Sequence, residues 1–239
     1  TMNDFDELLL EAKKRNLGII MDLVANHTSD EHVWFQTALK DPNSKYRDFY
    51  YFKKGEINKE PNNWIGLFGG SAWQKEKGTV DNYYLTSFTP NQVDLNWRNP
   101  EVREEIFKMM NFWLQKGVMG FRMDVINTIA KKEGLPDKDP HKKGYQFAKE
   151  YMINLPESHL YLQEMYEKVM KHYPNGIFFG EGMLADQKAT KEYAGANTKQ
   201  LQMMLNFDRA LIGTGPLGKF DFRKLYRWNT KTLKSMLFS

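Results

Sequence analysis

Four short apolar runs, three of them preceded by helical patterns, constrain this chain more than any other feature. Gly18 to Val24 reads GIIMDLV, Gly120 to Ile126 reads GFRMDVI, Ile177 to Gly180 is a third run, and Leu201 to Phe207 a fourth. Near-continuous apolar runs of this length are typical of strands buried on both faces of a parallel sheet. Thr1 with Asp4 resembles a capping box, and Phe5, Leu8, Leu9 and Ala12 behind it form one apolar face of a helix. Asn99 and Pro100 are the N-cap and first residue of another helix, with Val102, Ile106, Met109, Met110, Trp113 and Leu114 at helical spacing and Gly117 just past its end. Further helices are predicted from about Pro156 to Tyr173 and within Trp228 to Ser239. Helix then strand, repeated, implies right-handed crossovers and a parallel α/β sheet, either doubly wound or closed into an eight-stranded barrel. Both architectures place their sites at the C-terminal ends of the strands. The first helix begins at once and the last pattern simply stops, so the chain reads as part of a longer protein.

The segment from Thr28 to Asn96 does not follow this pattern. It is polar, turn-rich and carries Trp34, Phe35, Tyr50, Trp64, Phe68, Trp73, Tyr84 and Phe88. Connections beyond about 15 residues within a compact domain are functional or have structure of their own. The expected organisation is therefore 1–27 and 97–239 as α/β framework, with 28–96 as an inserted subdomain beside the strand ends. Its aromatics suit stacking on a substrate, but for most of them a place in the insert's own small core is the simpler expectation.

Composition excludes several classes of function. The 34 basic and 30 acidic side chains leave a net charge of +4, spread along the chain without the blocks that would suggest a nucleic-acid partner. With no cysteine, disulfides, thiolate zinc sites and thiol catalysis are ruled out together, and a cytoplasmic location is expected. No apolar run reaches the roughly 18 residues of a membrane span, and the first residues lack the zones of a signal peptide.

Polar residues cluster where the strands end: Asp22, Asn26 and His27 at the first, Arg122 and Asp124 at the second, Glu181 at the third. Arg122 and Asp124 are two apart on a strand and face the same side. A guanidinium there keeps a carboxylate ionised, as an anionic nucleophile must be, although a plain ion pair stabilising the sheet explains these two residues equally well. Glu181 changes the balance, because a second carboxyl ending the next strand would be a neighbour across the sheet. Two carboxyl groups about 5 to 5.5 Å apart are the geometry of retaining glycoside hydrolysis. That chemistry needs opposite protonation states: the negative charge of Asp124 is expected to raise the proton affinity of Glu181, which then acts first as acid and later as base. His27 as a neutral imidazole would donate to a sugar hydroxyl. A metal site there lacks a second histidine or a dense carboxylate cluster, so no metal is expected. His32, His141, His159 and His172 are expected to be solvated or structural.

These residues resemble a known family. MDLVANHT from Met21, QVDLNW from Gln92, GFRMDVIN from Gly120 and FFGEGM from Phe178 are similar, in order, to the signature regions of family 13 glycoside hydrolases. NHTSDEHVWF from Asn26 and PNNWIGLFGGSAW from Pro61 are closest to oligo-1,6-glucosidases and dextran glucosidases. The resemblance implies a (β/α)8 TIM barrel, here an incomplete segment of about strands 3 to 6, with a subdomain inserted after strand 3. It implies Asp124 as nucleophile and Glu181 as acid/base of a double displacement, His27 and Arg122 touching the glucose at the cleavage subsite, and Asp22 holding the site together. Phe68 and Phe88 would wall the glucose pocket. Valine directly after the nucleophile, here Val125, goes in this family with α-1,6 preference, so isomalto-oligosaccharides or dextran ends are the expected substrates and a small oligosaccharide the expected partner. Val93 stands where proline is commonest.

The family's third catalytic carboxylate would fall beyond Ser239 and its first strands before Thr1, as would any calcium loop; no cofactor is expected within the chain. A four-strand remnant would leave two unpaired edges, so the isolated segment is predicted to be inactive. Trehalose-6-phosphate hydrolases, α-1,4-glucosidases and sucrose or trehalose isomerases share these motifs and remain alternatives. A non-catalytic transporter-associated relative is disfavoured by the joint presence of Asp124, Glu181, Arg122 and His27, and a purely carbohydrate-binding role has only the aromatics in its favour.

Overall fold

The computed structural model of the chain describes residues 1–195 and 197–207. Helix α1 (Met2–Lys14) starts on the Thr1/Asp4 capping box and leads into strand β1 (Ile20–Val24). Then come β2 (His27–Ser29), α2 (Val33–Lys40) capped by His32, a 3₁₀ turn at Lys45–Phe49, β3 (Phe52–Lys54), β4 (Trp73–Lys75), β5 (Asn82–Leu85) and β6 (Gln92–Asp94). Helix α3 (Pro100–Lys116) begins on Asn99 and ends on Gly117, whose φ of 108° a Cβ would disfavour. Strand β7 (Gly120–Asp124), α4 (Lys149–Met152), α5 (Pro156–Lys168), β8 (Ile177–Gly182), α6 (Gln187–Ala194) and β9 (Met203–Asn206) complete the described chain.

The framework is a parallel sheet in the order β1-β7-β8-β9. Leu23, Phe121, Met123 and Phe178 point from it into a core shared with Val102, Ile106, Met110 and Leu114 of α3 and Leu162 and Met165 of α5. Gly120 lets β7 and β8 approach closely, since a Cβ there would run into the Ile177 carbonyl. The opposite face carries Asp22, Arg122, Asp124 and Glu181 among exposed apolar residues including Ile20, Val24, Met203 and Leu205.

Between β1 and α3 the chain builds two small antiparallel sheets, β2-β6 and β3-β5-β4. Tyr51, Trp64, Ala72, Trp73, Tyr83 and Leu85 form a second core with Leu135, Ala148, Met152 and Ile153 from the connection after β7. The Trp64 indole donates to the Pro136 carbonyl at 2.8 Å, and Arg47 grips Glu76 with both terminal nitrogens while lying over the Phe52 ring. The aromatics of this segment are therefore mostly core, as expected; Phe68, 77% exposed, is the exception.

Several boundaries differ from those read in the sequence. The first strand is not buried on both faces: Ile20 and Val24 lie exposed on the face that carries Asp22, while Leu23 is buried on the other. On α1, Ala12 is buried while Leu8 is exposed. The second strand stops at Asp124, where Val125 turns to positive φ and Ile126–Thr128 tightens into a 3₁₀ turn. The predicted helix to Tyr173 ends at Lys168, and a 3₁₀ turn at Met170–His172 follows ahead of Pro174. The third strand runs on through Glu181 to Gly182. The helix expected within 228–239 lies outside the described residues. Among the described residues no helix is long and apolar enough to cross a membrane.

Candidate active site

Parallel pairing sets Asp22 beside Arg122, and Arg122 beside Phe179. From the middle of this row the Arg122 guanidinium reaches three carboxyl groups. Its Nη1 donates to Asp22 Oδ1 at 2.8 Å and to Asp124 Oδ1 at 2.6 Å, and its Nη2 donates to Glu181 Oε2. An ion pair that merely stabilised the sheet would need one acid, whereas three acids on one cation leave excess negative charge that favours retaining a proton on one of them. Glu181 is that group. Burial, first, pushes its pKa above the usual glutamate value; a hydrogen bond with Asp124 and the Asp124 charge push the same way, against the opposing pull of Arg122 and the Val125 N–H. The direction matches the sequence expectation, but the leading cause is desolvation, followed by the hydrogen bond with Asp124, and the Asp124 charge contributes less than either.

Val125 connects the two acids through the backbone. At φ 36° and ψ 39° it sits in the left-handed region, which costs a β-branched residue about 1–3 kcal/mol. The turn it makes brings its N–H close enough to the Glu181 carboxyl to oppose the rise in its pKa. Its side chain is buried at 4% exposure.

His27, on β2 opposite Asp94, is buried, and burial lowers its pKa, so the ring is neutral at neutral pH. Its Nδ1 lies 3.2 Å from the Asn26 amide nitrogen and its Nε2 lies 2.8 Å from the Gln92 side-chain amide. The Asn26 amide is pinned by charge at both ends: its oxygen accepts from Lys131 Nζ at 2.9 Å, and its nitrogen donates to Asp94 Oδ1 at 3.0 Å. Asn26 therefore presents N–H to the ring, Nδ1 must be the acceptor, and the proton resides on Nε2. The atom of Gln92 facing Nε2 is its amide nitrogen, and its oxygen accepts from the Thr89 hydroxyl at 2.8 Å, so a proton on Nε2 requires the Gln92 amide to turn over. Lys131 and Asp94 themselves form an ion pair at 2.9 Å with both side chains at 0% exposure, and Ser87 donates to Asp94 through its hydroxyl at 2.7 Å. Asp22, His27 and Asp124 face one cavity of about 880 Å³ beside the edge of β1.

The Phe88 ring packs against His27 at 5.3 Å between centroids, and Phe68 lies 6.4 Å beyond Phe88. Among the other histidines, His32 caps α2, and His159 stacks on Tyr193 at 4.1 Å. The structure thus brings Asp22, His27, Arg122, Asp124, Val125 and Glu181 together, with Phe88 and Phe68 extending outward from His27. Sequence reasoning missed Lys131, Asp94, Gln92 and Asn127. A lysine at the end of the apolar stretch VINTIAK was the signal for the first, since a lysine is buried only with a partner.

The whole chain, residues 1–239, matches the family model described as alpha amylase, catalytic domain. It is 47% identical over 223 residues to an oligo-1,6-glucosidase of Bacillus cereus, covering 93% of this chain and 40% of the relative. It is 40% identical over 231 residues to a trehalose-6-phosphate hydrolase of Bacillus subtilis, covering 94% and 40%. The crystal structure of the Bacillus licheniformis trehalose-6-phosphate hydrolase superposes with a TM-score of 0.88 at 38% identity, covering 97% of this chain and 41% of that one. The chain spans about 40% of the length of these relatives, and its four parallel strands are a segment of their (β/α)8 barrel. With the family model matched from end to end, the chain belongs to glycoside hydrolase family 13, the α-amylase family.

Proposed function

We propose that this chain carries the nucleophile and the acid/base of a retaining α-glucosidase that hydrolyses α-1,6-linked glucose in isomalto-oligosaccharides or at dextran ends. The observation that carries the proposal is the single guanidinium of Arg122 shared by Asp124 and Glu181 at the ends of adjacent strands. Asp124 attacks the anomeric carbon as the bond to the leaving oxygen breaks, and Glu181 gives that oxygen its proton. Glu181 then takes a proton from water, whose oxygen attacks the same carbon and releases Asp124. His27 contacts the sugar as a neutral imidazole, Asp22 steadies Arg122, and Phe88 and Phe68 wall the sugar. Residues 28–96 serve as the inserted subdomain that closes one side of the site. The small oligosaccharide is the one partner invoked, and the compartment is the cytoplasm.

Trehalose-6-phosphate hydrolysis is the second reading, favoured by the similarity to the two hydrolases of that name. The test uses the protein as its gene encodes it, with isomaltose, maltose, trehalose-6-phosphate and p-nitrophenyl α-glucoside, beside Asp124→Asn. Isomaltose turnover abolished by the substitution is the expected result. Preference for trehalose-6-phosphate would replace the substrate, and equal activity with and without Asp124 would end the proposal. The isolated 239-residue chain is expected not to turn over isomaltose.

A further inference from the structure

The ladder between β7 and β8 pairs Gly120 with Ile177 through Met123 with Gly180 and then stops, one residue short of both Asp124 and Glu181. The two carboxyl-bearing residues therefore stand where β7 and β8 are no longer paired with each other, although Asp124 still pairs with Val24 of β1 and Glu181 with Leu205 of β9. Just beyond them a side chain restores the link. Asn127, at 0% exposure in the 3₁₀ turn after β7, accepts from the Met183 N–H through Oδ1 at 3.0 Å and donates from Nδ2 to the Met183 carbonyl at 2.7 Å. The other Nδ2 hydrogen goes to Asn154 Oδ1 at 2.8 Å, and the Asn154 N–H returns to the Asn127 carbonyl at 2.9 Å. Every group of this buried amide is paired, so its orientation is fixed.

The geometry points to Asn127 as a positioning residue that holds the acid/base Glu181 at its working distance from the nucleophile Asp124, by clamping the backbone of Met183 to the turn three residues after Asp124. The inference rests on the roles given above to those two carboxyls. An amide that reads both the N–H and the C=O of one residue replaces the rungs a parallel ladder would have supplied, and it does so two residues past Glu181. Without it, Met183 loses its tie to the turn after β7, and the stretch from Glu181 onward is held by backbone pairing from the β9 side alone, where Glu181 pairs with Leu205 and Gly182 with Asn206. A misplacement of about 1 Å costs on the order of 100-fold in rate.

The test separates positioning from general damage by changing the leaving group. Isomaltose needs a proton on its departing oxygen, whereas α-glucosyl fluoride loses fluoride without one, and kcat/KM reports the first chemical step in both cases. In the protein as its gene encodes it, Asn127→Ala is expected to lower kcat/KM for isomaltose about 100-fold and for the fluoride less than about 5-fold. Asn127→Asp keeps the shape and the acceptor for the Met183 N–H but loses both donors, and is expected to fall between; it carries the test if the alanine variant does not fold. Equal losses on both substrates, or no loss on isomaltose in a folded variant, would overturn the inference. Glu181→Gln run alongside must itself spare the fluoride and lose isomaltose. If it does not, the role of Glu181 fails, and the clamp fails with it for a distinguishable reason.

Discussion

Asp124 and Glu181 stand opposite each other on adjacent parallel strands, each one residue past the last paired position, Met123 with Gly180. Their carboxyl groups meet the two terminal nitrogens of one arginine. Neighbouring strands lie about 4.8 Å apart, so two residues in register at a strand end start their side chains from neighbouring backbone positions. The parallel sheet sets the backbone spacing of the two residues.

The raised pKa of Glu181 has a consequence for stability. An acid whose folded-state pKa exceeds its unfolded value contributes stability that is fully present below the unfolded pKa and is lost as pH rises through the folded one. Glu181→Gln removes that loss. The variant is expected to melt higher than the parent at about pH 8, with the difference shrinking toward about pH 4, as followed by thermal denaturation at both values.

For His27 the sign is opposite. Burial lowers its pKa below the ordinary 6.5, so its contribution to stability is present above that value and lost as pH falls through the lowered one. Charging the ring would also set a second N–H against the Asn26 amide. Nitrogen-15 NMR at neutral pH is expected to find the proton on Nε2 and none on Nδ1; the reverse tautomer would contradict the Asn26 orientation.

Phe68 and Phe88 lie in one aromatic row but differ in burial, 77% against 6% exposed. Phe88→Ala is expected to destabilise the fold by about 3–5 kcal/mol. Phe68→Ala is expected to leave stability within about 0.5 kcal/mol while raising KM for isomaltose. Urea denaturation and steady-state kinetics on the same two variants decide both points.

Val125→Thr keeps branching at Cβ, and with it the backbone preferences of a residue already held at positive φ, so an altered substrate preference would come from the hydroxyl. The ratio of kcat/KM for isomaltose over maltose is expected to fall by about tenfold or more, roughly 1.4 kcal/mol of discrimination. An unchanged ratio would remove Val125 from the basis for α-1,6 preference.

Lys131→Met would leave Asp94 charged and fully buried without its cation. Breaking such a pair from one side costs about 3–5 kcal/mol, read as a lower midpoint in urea. Adding Asp94→Asn is expected to cost much less than the sum of the two single changes.

What the sequence determined by itself was local. Thr1 with Asp4, Asn99 with Pro100, and Gly117 marked helix ends because caps act on neighbouring backbone groups, and the two-residue spacing of Arg122 and Asp124 set both on one face because side chains alternate along a strand. What the tertiary structure decided was which distant residues meet. Arg122 bonds Asp22 and Glu181 across 100 and 59 positions, and no periodicity encodes the register that brings them together. The same holds for Lys131, charged in composition yet enclosed by Asn26 and Asp94, and for Phe68 and Phe88, identical in type and opposite in burial. Burial is a property of everything packed around a residue, so the leading cause of the raised proton affinity of Glu181 emerged only once the sheet and its neighbours were in place.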